Sequence, residues 1–322
     1  LIDSAKNLYQ GELLYHGHPV DIGETSSGEQ EVLNFILGIF ARNLKGGILL
    51  VDEPELHLHP QWQTWLLATF NDIHEQYGNQ IIVCTHSGTF ITPKTISNVT
   101  RVYRDQERVS RVVSIPGEGI PTTRNAVHML NAHNNQKMFF ADVVLLVEGI
   151  KDRLIFDRLI KLYLETMGDP RVIEVLEVHG KHNFQAYRQF LESIQMKVVE
   201  IADLDYVLNV GTAEVKSLFE TDYPSINRNV LANKGSQDRL LLAERLELAI
   251  KTGDLGQLQE IWEHIKQRHL RLKNTLSAKE KETLQKFLND SMTKGTCILS
   301  KGEIENYLPE DKGNVSYCTS FP

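Results

Sequence analysis

Two stretches of this sequence end an apolar run in acidic residues at spacings that suit the chemistry of phosphate esters. In the second half, Val143 to Val147 runs into Glu148 and Gly149, with Asp152 four residues after the glutamate. Further on, Lys197 to Ala202 runs into Asp203, Leu204 and Asp205. Carboxylate oxygens are hard ligands that suit Mg2+ or Mn2+. Two such ions about 4 Å apart can activate a water and stabilise the leaving oxygen of a phosphodiester. The acids converge if the two strands are neighbours. Taken singly each group has a plainer reading, Glu148 and Asp152 as a helix start favoured by the dipole, Asp203 and Asp205 as a turn. Taken together they read as a metal-binding set.

In the first half, Ile48 to Val51 runs into Asp52 and Glu53. The carboxyl end of a buried strand is where α/β folds place ligands. Nucleotide hydrolysis needs one carboxylate to organise magnesium and another to orient or deprotonate the attacking water, roles that suit Asp52 and Glu53 respectively. Upstream, Thr25, Ser26, Ser27, Gly28, Glu29 and Gln30 form a small-residue turn opening a helix. Its free amides could receive a γ-phosphate, although SSGEQ alone could be a plain helix cap. Downstream, a strand ends at Thr85, His86 and Ser87, where an imidazole could reach the same phosphate or water. No G-x-x-x-x-G-K-[ST] loop occurs, so this segment by itself is not expected to hydrolyse ATP. His57 and His59 could form a metal pair, but loop contacts are the favoured reading.

The elements that must position these residues follow an alternating α/β pattern. Ile48 to Val51, Ile81 to Cys84 and Val99 to Tyr103 read as buried strands of a parallel or mixed sheet, with helices over Gln30 to Asn43 and Gln61 to Tyr77. The Gly-, Pro- and Asn-rich stretch from Ile115 to Lys137 marks a domain junction near its end. A second series then runs from a strand at Val143 to Val147 through a helix at about Asp152 to Met167 and a strand near Val172 to Val178. A helix over Phe184 to Ile194 and a strand over Lys197 to Ala202 complete it. From Ser236 to Met292 the pattern turns helical, with Leu258, Ile261, Trp262, Ile265 and Leu272 on one face and capping boxes at Asp254/Gln257 and Ser277/Glu280. Lys266, Arg268, His269, Arg271 and Lys273 read equally as a solvated helix face or as a track for a phosphate backbone.

At 322 residues there is room for two domains. No apolar run approaches the roughly 20 residues needed to span a bilayer, which excludes a membrane span. The odd number of cysteines, Cys84, Cys297 and Cys318, lacks metal-ligand spacing and suggests a reducing compartment, the cytoplasm. A net charge of -8 gives no global attraction to nucleic acid, so phosphate binding requires a local basic patch or metal ions. The first residue, Leu1, and an opening without a signal-peptide pattern suggest a fragment.

The order SSGEQ, ILLVDEPELHLHP, IIVCTHS resembles the carboxy-terminal lobe of ABC-type ATPases over roughly residues 20 to 105, as signature, Walker B with D-loop, and switch histidine. The form DEPELHLHP is closest to soluble recombination, repair and defence ATPases. In such enzymes the signature of one subunit completes the site of another, so the resemblance implies homo-oligomerisation through the ATPase heads. LLVEGIKD followed by IADLD resembles the Toprim fold, and VHGKHNFQAYRQFLESI and LSKGEIENYLP resemble the OLD (overcoming lysogenization defect) family, in which an ABC-type ATPase precedes a Toprim nuclease.

The resemblance implies an α/β protein with an ATPase lobe over 1–138 and a Toprim domain over 139–322, the latter with a helical insert at about 236–293. Position by position, Glu148, Asp152, Asp203 and Asp205 match the metal-binding acids and Glu305 a later acid, with Glu303 as its neighbour. Together with Glu53 these form the expected catalytic set, while Ser26, Ser27, Gly28, Glu29, Gln30, Asp52 and His86 form the expected ATP-binding set. Lys181 and Lys301 read either as phosphate contacts or as solvated loop lysines. A further lysine used by OLD nucleases falls beyond the acidic segment and is not expected before residue 322. The implied activity is ATP-regulated cleavage or nicking of DNA, dependent on two Mg2+ or Mn2+ ions, with ATP and Mg2+ at the heads. Anti-phage defence, in some members beside a helicase-like partner as in Gabija systems, is the implied setting. The rival readings are an ATP-driven repair or structural clamp with an inactive Toprim domain, and a topoisomerase or primase. The topoisomerase's tyrosine nucleophile and the primase's template site have no visible counterpart.

Overall fold

The computed structural model describes residues 12–15, 18–41, 44–105, 107–115, 135–223, 237–267 and 269–308. Most of the expected junction segment, Arg268, Cys318 and the side chain of Ser27 lie outside the described residues. The chain divides into two compact units, Leu1–Ala141 with Ser193–Gln195, and Asp142–Glu192 with Met196–Pro322. No helix among the described residues is long and apolar enough to cross a membrane.

The first unit opens with an antiparallel pair, β1 (Glu12–Tyr15) and β2 (His18–Asp21), followed by helix α1 (Ser27–Ala41). Helix α1 starts earlier than expected because Ser26 and Glu29 cap it reciprocally: the Ser26 amide and hydroxyl both donate to Glu29 Oε2 at 2.8 Å. Strand β3 (Ile48–Asp52) is followed by α2 (Pro60–Tyr77) and β4 (Gln80–Cys84), which pairs parallel to β3. Helix α2 has Pro60 in its first turn, and the His59 imidazole accepts the Gln61 amide at 3.3 Å. His59 is thus a helix cap, in line with the loop reading. Strands β5 (Thr100–Arg104) and β6 (Ser110–Ser114) form a separate antiparallel pair.

Helices α1 and α2 cover one face of the β3–β4 pair. Val51, Leu49, Ile81 and Val83 pack there with Val32, Leu66, Phe70 and Phe90. The opposite face is open among the described residues, leaving Leu50 73% and Ile48 64% exposed. The expectation of fully buried strands therefore holds for one face only. On β5 and β6 the register partners Val102 and Val112 are likewise exposed, so the strand expected at Val99 to Tyr103 is not buried either. An apolar run cannot by itself distinguish burial on one face from burial on both.

The second unit is built on four parallel strands in the order β12-β9-β7-β8. These are β7 (Val143–Val147), β8 (Ile173–Glu177), β9 (Lys197–Ala202) and β12 (Thr296–Ile298). Helix α3 (Ile150–Met167) connects β7 to β8, and α4 (Phe184–Ser193) connects β8 to β9. The central β7 is buried along its whole length, which its unbroken VVLLV run encodes. Between β9 and β12 come a short strand β10 (Phe219–Thr221), helices α5 (Gln237–Thr252) and α6 (Leu255–Gln267), strand β11 (Leu270–Leu272) and helix α7 (Ala278–Thr293).

Two expectations for this stretch are corrected. Leu272 lies in β11, paired antiparallel to β10, and not on the helix face shared by Ile261 and Trp262. The basic stretch runs off the end of α6 into that strand, and three of its described cations have acidic partners: Lys266 has Glu263 at 2.5 Å, Arg271 has Glu220 at 3.6 Å, and Lys273 has Glu280 at 3.4 Å. Lys266 lies on the helix and Arg271 on the strand, so the described cations do not form one helix face. The Ser277/Glu280 capping box is present at the start of α7, and Asp254 accepts the Gln257 amide at 3.0 Å.

Strand β12, which is too short to be recognised in the sequence, is held by a buried ion pair. Glu200 on β9 is 3% exposed and accepts Arg188 Nε at 2.6 Å and Thr296 Oγ1 at 2.7 Å. Arg188 also donates to Thr296 Oγ1 at 3.2 Å and to Gly295 O at 3.3 Å. Removing one partner of such a pair strands the other charge, so Glu200→Ala should lower unfolding stability by about 3 kcal/mol. A urea midpoint shift worth less than about 0.5 kcal/mol would show that the pair does not hold β12 in place.

Candidate functional site

The carboxyl ends of β7, β9 and β8 lie side by side, with Val147 in register with both Ile201 and Glu177. The residues just past these strands therefore meet at one edge. Glu148 leaves β7, and its carboxylate accepts the amide of Lys181 from the turn after β8, while its backbone oxygen accepts Gly180 N at 3.1 Å. Asp152 sits in the first turn of α3 and accepts the Gly149 amide at 3.0 Å, so its plain role as a helix-start acid is real. Asp203 and Asp205 leave β9, where Leu204 N donates to Gly302 O at 3.1 Å and Leu299 N to Ala202 O at 2.9 Å. These two bonds bring the 299–305 turn, with Glu303 and Glu305, to the same edge. Gly302 has φ 111, and a Cβ there would lie 2.5 Å from Asn306 Nδ2, so the turn requires glycine.

The electrostatics report the crowding. Burial and then the charges of Asp152, Glu148, Glu303 and Asp205 push Asp203 up to about 8. Burial and Asp205 raise Glu148, with Lys181 opposing. Burial and Glu305 raise Asp152, with the Gly149 amide opposing. Glu148 Oε2 and Asp205 Oδ1 are buried without a hydrogen-bond partner. Mutual repulsion together with orphaned buried oxygens is the pattern that a bound cation relieves, so the donor set fits a hard divalent metal. Among the described residues, however, no group of three His, Cys, Asp or Glu side chains is already gathered as a metal shell. Two lysines take part of that role: Lys181 is ion-paired with Asp205, and Lys151 Nζ lies 2.6 Å from Glu305 Oε1.

Lys181 is thus paired with Asp205 and only partly exposed. Lys301 stands apart, with its amide 2.9 Å from the Tyr307 hydroxyl and its ammonium 5.2 Å from that ring. Lys151 escaped the sequence reading because its partner is 154 positions away and no spacing signal links them. Glu177 and His179, 2.7 Å apart beside Glu148, escaped for a different reason: an acid closing a strand and a turn histidine are individually ordinary.

In the first unit the structure brings Glu53 and His86 together, with His86 Nε2 4.0 Å from Glu53 Oε1. Asp52 ends β3 in register with Cys84, and Glu53 N donates to Cys84 O at 2.8 Å. Glu53 has φ 45, an uncommon conformation for a residue with a Cβ. Glu55 was not singled out from the sequence, yet its Oε1 accepts the His86 amide at 2.7 Å. Buried Gln63 ties the two loops, donating to Leu58 O at 2.9 Å and accepting Ser87 Oγ at 2.6 Å. Gly28 packs against the same loop, where a Cβ would lie 3.0 Å from His57 O. Ser26 and Glu29 are engaged in the helix cap, and Gln30 Nε2 donates to Thr25 O at 3.0 Å and Gly23 O at 3.1 Å. The turn is therefore prefastened, with Gly28 closest to the loop after Glu53.

The raised Asp203 has a thermodynamic consequence in the absence of metal. Its folded value of about 8 exceeds the ordinary 3.8, so the folded state binds the proton more tightly. That contribution is fully present below about pH 4 and is lost as pH rises through about 8. In EDTA at pH 9, Asp203→Asn should melt about 3 °C higher than the parent, and the gap should close towards pH 4. A mutant that melts lower at pH 9 would contradict the assigned repulsion.

Residues 14–92 match the AAA-domain family AAA_21, whose description associates it with the AbiEii toxin of type IV toxin–antitoxin systems. Residues 139–205 match the family described as overcoming lysogenization defect protein-like, TOPRIM domain. Among curated proteins the chain is 26% identical over 182 residues to the Old nuclease of Escherichia phage P2, covering 54% of this chain and 30% of that protein. It is 25% identical to Endonuclease GajA of Bacillus cereus, over 51% of this chain and 27% of that one. It is 27% identical to the OLD nuclease of Thermus scotoductus, over 53% of this chain and 34% of that one. The matched region therefore spans about a third or less of each relative's length. A solved SMC ATPase structure shares a TM-score of 0.25 and 22% identity over 31% of this chain and 60% of that one, too slight to bear on function. The chain thus joins a segment that matches an AAA-type ATPase family to one that matches the OLD-like TOPRIM family, and its curated similarities are to OLD-type nucleases.

Proposed function

We propose that this chain carries the catalytic centre of an ATP-regulated, divalent-metal-dependent DNA endonuclease. The observation that carries this reading is the meeting of Glu148, Asp152, Asp203 and Asp205 at one edge of adjacent parallel strands, buried and crowded enough to hold Asp203 near 8. The nuclease names of the relatives support it. In this reading Glu148, Asp152, Asp203, Asp205 and Glu305 hold Mg2+ or Mn2+, ions that supply Lewis acidity and an activated water when bound. The chain's own contribution is positional. The Gly180 and Lys181 amides fix Glu148, and the Gly302 turn fixes the D-x-D segment. Lys181 and Lys151 hold positive charge against the acids, and on this reading each can shift to a phosphate oxygen of the substrate.

The ATPase assignment covers residues 1–138 as an ABC-type carboxy-terminal lobe, with Asp52 organising magnesium, Glu53 orienting water and His86 beside it. Residues 139–322 form the Toprim part. Ser26, Ser27, Gly28, Glu29 and Gln30 form the turn presented to ATP on a second copy, which makes the protein a homo-oligomer through its heads. A DNA substrate, anti-phage defence and a cytoplasmic location complete the proposal. No feature among the described residues speaks for a helicase-like partner.

In the intact protein, Glu148→Ala and Asp203→Ala should each reduce conversion of supercoiled plasmid to nicked and linear forms by at least about 100-fold. ATP hydrolysis should persist in both. Mg2+ or Mn2+ should support cutting, Ca2+ poorly, because its looser oxygen shell holds reacting groups less tightly. EDTA should stop it. Cutting at the parental rate by either mutant would remove these acids from the centre, and a parent that never cuts under any metal would leave the clamp reading standing.

For the ATPase segment, Glu53→Gln in the intact protein should slow ATP turnover by about 100-fold or more while nucleotide binding persists, since a water-orienting base is lost and no phosphate contact is. Turnover within threefold of the parent, measured by phosphate release, would take Glu53 out of that role.

A further inference from the structure

Strand β8 ends in a residue that packing alone does not explain. Glu177 is 5% exposed, and its Oε1 lies 2.7 Å from His179 Nδ1. Its other oxygen, Oε2, is buried without a partner. An apolar side chain would fill this position without the desolvation of a carboxylate. His179 in turn has φ 56, in the left-handed region that a β-carbon disfavours. Two unfavourable choices two residues apart are thus spent on one contact. Its effect is to fix the imidazole.

The contact also decides the tautomer. An ionised carboxylate only accepts, so the proton of neutral His179 resides on Nδ1 and Nε2 presents a bare lone pair. Nε2 has no partner among the described residues, and the side chain is 42% exposed. The neighbouring backbone places this turn beside Glu148. Val178 N continues the ladder to Val147 O at 2.9 Å, Gly180 N donates to Glu148 O at 3.1 Å, and the Lys181 amide donates to the Glu148 carboxylate. Asn183 Nδ2 clamps the turn from behind, through Val178 O at 2.8 Å and His179 O at 3.2 Å. A carboxylate–imidazole pair with a free ring nitrogen, carried on a turn bonded to Glu148, is the arrangement of an oriented general base.

We propose that His179, oriented by Glu177, is the proton acceptor of the nuclease centre. The inference rests on the nuclease reading above. In the step assigned to it, the water oxygen forms a bond to phosphorus as its proton passes to His179 Nε2. The bond from phosphorus to the leaving nucleoside oxygen breaks, its electron pair stays on that oxygen, and solvent supplies the proton that neutralises it. The imidazolium then returns its proton to solvent.

The positive φ of His179 makes a test available, because glycine accepts that conformation without strain, which offsets part of the cost of leaving Glu177 without its partner, and each variant is compared at equal folded concentration. Plasmid cleavage with Mg2+ by the intact protein should fall about 100-fold to 1,000-fold, with the KM for DNA changed less than about threefold. Added imidazole, at roughly 50 mM, should restore at least about tenfold of the lost rate, since the vacated space admits the missing base. Glu177→Gln should give a smaller loss of roughly 10-fold to 100-fold, because the amide still contacts the ring but no longer fixes its tautomer. A His179→Gly protein that cuts within threefold of the parent, or one whose loss imidazole does not repair, overturns the base assignment. If Glu148→Ala is inactive while His179→Gly is not, only this inference fails. If the parent itself does not cut with any divalent metal, the nuclease reading fails and takes this one with it.

Discussion

Carboxylates gathered at one edge of a parallel sheet repel each other, and the second unit is organised around keeping them there. Glu148, Asp152, Asp203, Asp205, Glu303 and Glu305 all act on one another's ionisation or on that of a shared neighbour. Left to itself, such a cluster would splay or protonate. The chain opposes this with backbone amides and two ammonium groups. Gly149 N fixes Asp152, Lys181 N fixes Glu148, Lys181 Nζ meets Asp205, and Lys151 Nζ meets Glu305. Burial and the residual repulsion fall together on Asp203, which has no ammonium partner among these and is the most strongly raised of the group.

Parallel topology makes the crowding possible. Neighbouring parallel strands all point the same way, so the residues just past each strand arrive at one edge however far apart they are in sequence. The β7–β9 register puts Glu148 beside the start of the D-x-D segment, and β12 brings the Gly302 turn against β9. The Arg188–Glu200–Thr296 network matters for this reason. It anchors β12, and β12 sets the position of Glu303 and Glu305. A charge pair buried in the core of the sheet thus governs acids at its rim.

Much of this was legible in the sequence because the strands that matter are long, apolar and end in acids. VVLLV before Glu148 and the run before Asp203 identify themselves by their apolar length and by the carboxylates at their ends. Strand β12 did not, since three residues, Thr296 to Ile298, carry no periodicity and take their strand character from pairing with β9. Leu272 was misplaced because one leucine at a helical spacing looks the same whether the helix continues or has turned into β11. Strands β3 and β5 were placed, but their burial was overestimated, as apolar runs report hydrophobicity and not the number of covered faces. At the site, the acids were visible as motifs. Their partners Lys151, Glu177 and His179 were not, because an ion pair or a strained turn is a property of the folded chain.

Local charge also explains why a net charge of -8 is compatible with the proposed substrate. Of the basic residues that looked available for a phosphate backbone, Lys266, Arg271 and Lys273 are paired with nearby acids and Lys181 with the cluster itself, which Lys151 also meets. A polyanion approaching this edge meets more carboxylates than ammonium groups, and at physiological salt the field from the rest of the surface is screened beyond about 8 Å. On the proposed reading, attraction to DNA at the centre depends on cations brought into it. Divalent ions held by Glu148, Asp203 and their neighbours would reverse the sign of the field where the scissile phosphate binds. The same ions would offset the burial and the like charges that together hold Asp203 near 8. Binding the metal and admitting the phosphate are then two aspects of one electrostatic change, and the carboxylate crowding at this edge is what makes that change favourable.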